Sequence, residues 1–295
     1  MNEHVDMKNN EGLNAGIRKL KLARVTPGTL LAYLVIFTGG VLILYPLFWM
    51  VVSSMKSYDE IYNNVWGFPE IWHFENYKTA WDIGISGYFI NSVIVTFSTV
   101  LSVVLIASMA AYGLTRYKSR LVNVFLIVIM AGMMINPQVA LIPLYTILRN
   151  LGILNTRFAL ILPYIAFRLP LSVLLIRSYF LGIPKEVEES AIIDGCGDFG
   201  IFFKIYLPMS RPIIMTTVVL ATYYAWNEFL FGTIFIDSDA LKTIPSGLMN
   251  FRDALRTDWG VLLSGMVIAS LPMIILLILL QKHLVRGLSE GSVKG

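Results

Sequence analysis

A chain of 295 residues is long enough for one or two soluble domains, yet 56% of its residues are apolar and only 14% are charged, a balance that places it among membrane proteins. The net charge of +4 follows from where its cationic residues fall and gives no reason to expect a nucleic-acid partner. The single cysteine, Cys196, excludes an internal disulfide and reads as a small residue beside Gly195.

Residues 1–28 are polar and basic and read as a partly disordered tail. They lead into an apolar run, 29–53, with no small-residue cleavage site after it, so a retained helix is expected rather than a removed signal. Further runs cover 86–115, 121–148, 158–176, 212–236 and 260–281. Each reaches or nearly reaches the roughly 20 residues a helix needs to cross about 30 Å of hydrocarbon. Alternating strands of barrel length are absent, which leaves an all-α polytopic membrane protein with six transmembrane helices.

Orientation follows from Lys and Arg, which are retained in cytoplasmic loops. With the N-terminus inside, the inner segments hold fifteen of them and the outer loops seven; Arg116, Lys118 and Arg120 follow the second run, and Arg177, Lys185, Lys204 and Arg211 surround the polar stretch between the fourth and fifth. Both termini and that stretch, 184–209, are therefore expected in the cytoplasm. Pro184 suits the first position of a helix, Glu186, Glu188 and Glu189 favour its positive end, and Gly195 ends it. Val187, Ala191 and Asp194 share one face, with Ser190 beside them, small and partly apolar as a partner's groove would require. Phe199, Phe202, Phe203 and Tyr206 recur at i, i+3, i+4 and i+7, which predicts one continuous aromatic face packed on the membrane-embedded body. These residues alone read either as an amphipathic connector or as a docking element.

The stretch 188–208, EESAIIDGCGDFGIFFKIYLP, has Glu189, Ser190 and Ala191, then three residues and Gly195, then nine residues and Ile205, Leu207 and Pro208. It resembles the cytoplasmic coupling loop of importer-type ABC permeases, Glu-Ala-Ala, three residues, Gly, nine residues, Ile-x-Leu-Pro, with Ser190 in place of the first Ala. NSVIV, AAYGLTRY, NPQVALIPLY, LGILNT, WNEFLFG and LVRGLSEGSVKG are similar, in order and spacing, to strings of the carbohydrate-uptake, maltose-type branch, from Tyr88 to the end of the chain. The resemblance implies a six-helix subunit with a cytoplasmic coupling helix between helices 4 and 5. It also implies a second permease subunit, two ATP-binding subunits that dock on the coupling loops, and an extracellular solute-binding protein that delivers a carbohydrate. The complex would lie in the bacterial cytoplasmic membrane, among its lipids. No phosphate-cradling Gly-x-x-x-x-Gly-Lys-Ser/Thr string occurs, so ATP and Mg are expected on the partner ATPase and no cofactor in this chain. Metal-ligand spacings and nucleophile signatures are also missing, and the chain is not expected to be an enzyme. The rival readings are an ABC permease for a non-sugar solute and an ion-driven secondary transporter; the latter would normally show acids lining an ion path and an internal repeat.

Ionisable groups inside a span cost at least about 2.5 kcal/mol on insertion scales, which singles out Arg168 in the fourth run and Glu228 in the fifth. Pro170 is expected to weaken the helix just after Arg168. Arg168 reads as the partner of a carboxylate, a lipid headgroup or Glu228, or as a contact to substrate; Glu228 reads as a structural residue bonded to a neighbouring helix, or as part of the substrate path. Asn91, Asn136, Gln138 and Asn227 can hydrogen-bond sugar hydroxyls, although Asn136 and Gln138 flank Pro137, where a broken helix needs satisfying. Tyr223, Tyr224 and Trp226 offer aromatic faces to a sugar ring or to plain packing.

The outer loop 238–259 contains Pro245 and Gly247, reads as structured, and by resemblance faces the binding protein. Beyond Gln281 the glycines Gly287, Gly291 and Gly295 argue against a rigid helix. The expected organisation is a tail at 1–28, a permease domain at 29–285 and a cytoplasmic tail at 286–295. By resemblance Leu288, Ser289, Glu290 and Gly291 of that last tail touch the ATPases.

Overall fold

A computed structural model describes residues 27–117, 119–251 and 258–292, with side chains through residue 281. The tail expected at 1–28 lies outside the described residues, apart from Pro27 and Gly28, which open the first helix. The chain divides into two compact units, residues 1–50 and 51–295. Helix α1, Pro27–Ser53, supplies the described part of the first through residue 50; it is 27 residues long and apolar along its length, as a membrane span is.

In the second unit Ser57 opens α2, Tyr58–Asn63, by accepting from the Glu60 amide at 3.4 Å. Helix α3, Glu75–Ala80, passes through a π-helical turn, Trp81–Ile85, into α4, Ser86–Arg116. Then follow α5, Arg120–Met133; α6, Leu141–Asn150; and α7, Phe158–Phe180. A run of short elements comes next: α8, Lys185–Ile193; α9, Asp198–Ile201; a π-helical turn, Phe202–Tyr206; and α10, Leu207–Met209. The rest is α11, Arg211–Asn227; α12, Leu230–Phe235; α13, Ile244–Gly247; and α14, Trp259–Ser292.

The all-helical expectation holds among the described residues, but the six uninterrupted spans do not appear. Four helices are long and apolar enough to cross a membrane, or five if α9–α10 and α11, bent by 77° at Ser210, make one span. The run 121–148 is divided, because Asn136 folds back: its Oδ1 accepts from the Gln138 amide at 3.0 Å, and Pro137 offers no amide to continue α5. The run 212–236 is divided at Glu228, between α11 and α12. Conversely, α7 continues through both Pro163 and Pro170, so Pro170 does not interrupt it. The tail beyond Gln281 was expected to lose its helix, yet the backbone of α14 stays helical to Ser292, because two glycines do not outweigh propagation from a long preceding helix.

Three apolar clusters fix the directions of these helices. Val95 of α4, Leu160 and Tyr164 of α7, Ala225 of α11 and Phe231 and Phe235 of α12 share one. Ala107 and Ala111 of α4, Val173, Ile176 and Phe180 of α7, and Ala191, Ile201, Phe202 and Tyr206 of the segment after it share another. Early residues of α4 and α7 thus meet in the first cluster and late residues of both in the second, so the two helices run parallel. Residues 120–150 must then return the chain from one end of this pair to the other. Helix α11 starts beside the second cluster and ends in the first, so it runs against them. Helix α14 starts in a third cluster, where Val261 meets Ala80, Ile85, Tyr88, Trp226 and Ile244. Ala107, Ser108 and Ala111 let α4 and α7 approach closely, as small residues do where lipid supplies no hydrophobic drive.

Candidate functional site

The segment after α7 is built as a bracket on the ends of α4 and α7. Pro184 lies one residue before α8 in extended backbone rather than at its first helical position. At the other end Gly195 has φ +80°, the left-handed conformation that lets the Cys196 amide reach back to the Ala191 carbonyl at 2.9 Å. Arg116, in the last turn of α4, holds the bracket. Its Nε lies 3.4 Å from Glu188 Oε1 of α8, and its Nη2 lies 3.0 Å from Asp198 Oδ1 of α9. Its Nη1 donates to the Tyr112 hydroxyl, which in turn donates to the Asp198 carbonyl at 3.2 Å. The Tyr206 hydroxyl donates to Glu188 Oε2 at 2.9 Å. Burial, and after it the Glu188 carboxylate, push the Tyr206 hydroxyl well above its ordinary value, so it remains a donor at physiological pH.

This geometry turns α8 over relative to the sequence expectation. Ala191 is buried against Ile176, Phe180, Phe202 and Tyr206, with Val187 half-buried on the same side, so that face looks inward. The outward face carries Glu186, Glu189, Ser190, Ile192 and Ile193, the last 85% exposed. Asp194, Gly195 and Pro208 are also exposed, while Ile205 and Leu207 are half-buried against the cluster. The continuous aromatic face does not exist either. Phe202 and Tyr206 are buried, whereas Phe199 and Phe203 are 73% and 55% exposed. The four positions fall into two i, i+4 pairs, and only one pair can face the bundle. The bracket therefore presents Ile192, Ile193, Phe199 and Phe203 among acidic groups. Arg116 and Tyr206 were the residues the sequence reading missed: one was counted only as a charge, the other only as an aromatic ring. A Tyr112–Arg116 pair at i, i+4 just before a segment rich in acids was the available signal.

The polar residues of the spans separate into those committed to the fold and those still open. Asn91 is buried; its Nδ2 donates to the Ala240 and Lys242 carbonyls at 2.8 and 3.0 Å, and its Oδ1 accepts from Arg157 at 2.9 and 3.1 Å. Glu228 caps α12: Oε1 accepts from the Phe231 amide at 2.9 Å, while Oε2 accepts from the Gly232 amide at 3.2 Å and the Tyr164 hydroxyl at 2.6 Å. Trp226 is buried and donates to the Ala269 carbonyl of α14 at 3.0 Å. Asn227 donates to the Tyr223 carbonyl at 2.8 Å, and the Tyr223 ring is exposed. Asn136 and Gln138 are exposed in the α5–α6 turn, where they bond to each other. Arg168 is half-buried, its guanidinium 3.7 Å above the Tyr224 ring.

The loop after α12 is structured, as Pro245 and Gly247 suggested, over the described residues 238–251. Tyr88 donates to Asp239 at 2.9 Å, Asn250 donates to Tyr88 at 3.1 Å, and the Ile244 amide donates to Ser92 at 2.9 Å. Residues 252–257 lie outside the described residues, as do the side chains of Leu288, Ser289, Glu290 and Gly291.

The residues 102–290 match the family of binding-protein-dependent transport system inner membrane components. The probable ABC transporter permease protein YurM of Bacillus subtilis is 54% identical, over 88% of this chain and 87% of its own length. The diacetylchitobiose uptake system permease protein NgcG of Streptomyces coelicolor is 32% identical, over 90% of this chain and 88% of its own. In fold, the chain resembles the crystal structure of a bacterial ABC transporter involved in the import of the acidic polysaccharide alginate, with a TM-score of 0.74 at 21% identity, over 86% of this chain and 95% of that one. Relatives of this chain are sugar ABC transporter permeases, transport proteins rather than enzymes, and its apolar helices fit a multi-pass inner-membrane component. By sequence match, the chain belongs to the binding-protein-dependent transport system inner membrane component family.

Proposed function

We propose that this chain is one of two different membrane subunits of an ATP-driven carbohydrate importer. It moves substrate by alternating access, fed by an extracellular binding protein and driven by a pair of ATPase subunits that carry ATP and Mg. The observation that carries this reading is the bracket at 185–209, which is locked to the bundle through Arg116 and offers exposed Ile192, Ile193 and Phe199 to another protein. A connector without a partner has no use for such apolar exposure outside lipid. The bracket is the coupling element, with Glu189, Ser190, Asp194, Gly195 and Pro208 facing the ATPase and Ala191, Ile205 and Leu207 fixing it to the bundle.

Six spans fit the helix directions. Helices α4, α7 and α14 cross one way and α11 the other; residues 120–150 supply the return between α4 and α7, and α1 is the first crossing. Both termini then lie on the cytoplasmic side with the bracket, in agreement with the bias of Lys and Arg. The end of α14, with Leu288 to Gly291, reaches the ATPases as a continuation of the last span. Of the candidate substrate-path residues, Asn91 and Glu228 serve the fold, and Arg168, Tyr223, Tyr224 and Asn227 remain for the solute.

The test is purification of the tagged chain with its partners, followed by ATP hydrolysis and vesicle uptake with a panel of oligosaccharides, amino acids and phosphate compounds. Saccharide-dependent hydrolysis and uptake are expected. Uptake of a non-sugar solute alone would replace carbohydrate with that solute, and transport driven by an ion gradient without ATP would overturn the reading.

A further inference from the structure

Arg168 sits at the eleventh of the 23 positions of α7, which places it about 15 Å along the helix from either end. A guanidinium at that depth needs a partner for its charge. No carboxylate is supplied within the described residues. Arg168 takes part in no ion pair there, and its Nε is buried without a hydrogen-bond acceptor. The sequence has no acid in 86–116, 120–133, 158–180 or 259–281, so Glu228 is the nearest candidate by depth. Its oxygens, however, are taken by Tyr164 and by the Phe231 and Gly232 amides.

What Arg168 does have is an aromatic floor. The Tyr224 ring of α11 lies 3.7 Å beneath the guanidinium carbon, and Tyr164 holds that ring edge-on at 5.7 Å. One face of the planar cation is thereby fixed and desolvated, while its edge keeps donors for an anion. The residue is half-buried, and on that edge Nε is buried without an acceptor. An arginine held flat on a tyrosine, with its Nε lacking an acceptor, is arranged to receive a carboxylate or sulfonate. A neutral sugar hydroxyl would leave the charge uncompensated.

We propose that Arg168, seated on Tyr224, is an anion-recognition site in the translocation path, and that the carried saccharide is acidic, of the uronic-acid or sulfonated class. This rests on the carbohydrate-importer reading above. The competing occupant is a carboxylate of the second permease subunit, in which case Arg168 is part of the assembly interface.

The experiment uses the complete complex of both permeases and ATPases in detergent, without the binding protein, so that the membrane subunits provide the saccharide site. Equilibrium binding is measured for disaccharides containing glucuronate, galacturonate or mannuronate, each against its neutral parent, for the native complex, Arg168→Gln and Arg168→Lys. The native complex is expected to prefer one uronate over its parent by about tenfold or more, Arg168→Gln to abolish that preference with assembly intact, and Arg168→Lys to keep part of it. No preference in the native complex, an undiminished preference in Arg168→Gln, or a Gln variant that fails to assemble would each overturn the proposal. Binding and uptake of neutral saccharides alone would leave the carbohydrate reading standing and remove this one. Failure of every saccharide to bind, or to enter vesicles when binding protein is restored, would remove both.

Discussion

Glu228 shows how a charged side chain can be used by the fold inside an apolar run. Two oxygens satisfy the two amides that open α12 and the hydroxyl of buried Tyr164. Replacing it with Ala strands all three donors where little water can reach them, and should lower the unfolding free energy of the solubilised protein by about 2–4 kcal/mol. Glu228→Gln, which keeps one acceptor oxygen, should cost less than half as much; equal stability for Ala and the native protein would contradict the capping role. Gly195 is a second such position. A Cβ there meets nothing within 4 Å, so Gly195→Ala should cost only the left-handed strain of φ +80°, about 1 kcal/mol, measured as loosening of α8 in hydrogen exchange. The helix stop at Gly195 was legible, because glycine after a polar helix has few other uses. The cap was not: from sequence Glu228 lay inside an uninterrupted apolar run, and nothing in that run marked where the helix would break.

At the scale of elements, the bracket depends on one cation shared between two carboxylates. The Arg116 and Glu188 side chains are 19% and 18% exposed, so water screens the pair only in part and its loss should be felt. Arg116→Gln should raise amide exchange across 185–209 by at least about tenfold, equivalent to ~1.4 kcal/mol, while the core of α4 and α7 stays protected. Unchanged exchange in the bracket would show that apolar packing alone holds it. The outer loop is held by close approach: a Cβ on Gly247 would lie 2.3 Å from the Tyr88 ring, so Gly247→Ala should displace that ring and break its bonds to Asp239 and Asn250. Thermal unfolding should fall by about 1–3 kcal/mol, and a neutral effect would mean that the loop shifts freely. Four of the six runs were readable as helices of spanning length because apolar length is a direct consequence of bilayer thickness, whereas 121–148 and 212–236 are divided. Which side of α8 faces the bundle was not readable, since Ala191 and Ile193 are both apolar and the contacts that choose between them, from Arg116 and Tyr206 to Glu188 and from Ile176 and Phe180 to Ala191, come from other elements.

At the scale of the whole molecule, the claim is that closure of an ATPase pair reaches the spans through this bracket. The ends of α4 and α7 are bound to it, by Arg116 and by the packing of Ile176 and Phe180, so displacement of the bracket has to move both parallel helices together. The all-helical, multi-span class was legible from the apolar runs; the continuation of α14 to Ser292 was not, because its glycines signal a break that the helix overrides. Deleting 288–295 should change the dependence of ATP hydrolysis on the binding protein without altering membrane insertion, and unchanged kinetics would detach that end from the ATPases. The most direct measurement of the central claim is ATPase retention and saccharide-stimulated ATP hydrolysis in the purified complex carrying Glu189→Ala or Ile193→Asp. The account predicts that both permease subunits stay paired while the ATPase dissociates and stimulated hydrolysis falls by about tenfold or more, the loss expected when a central apolar anchor is removed from an interface. Full ATPase retention with undiminished stimulation in both variants would contradict it.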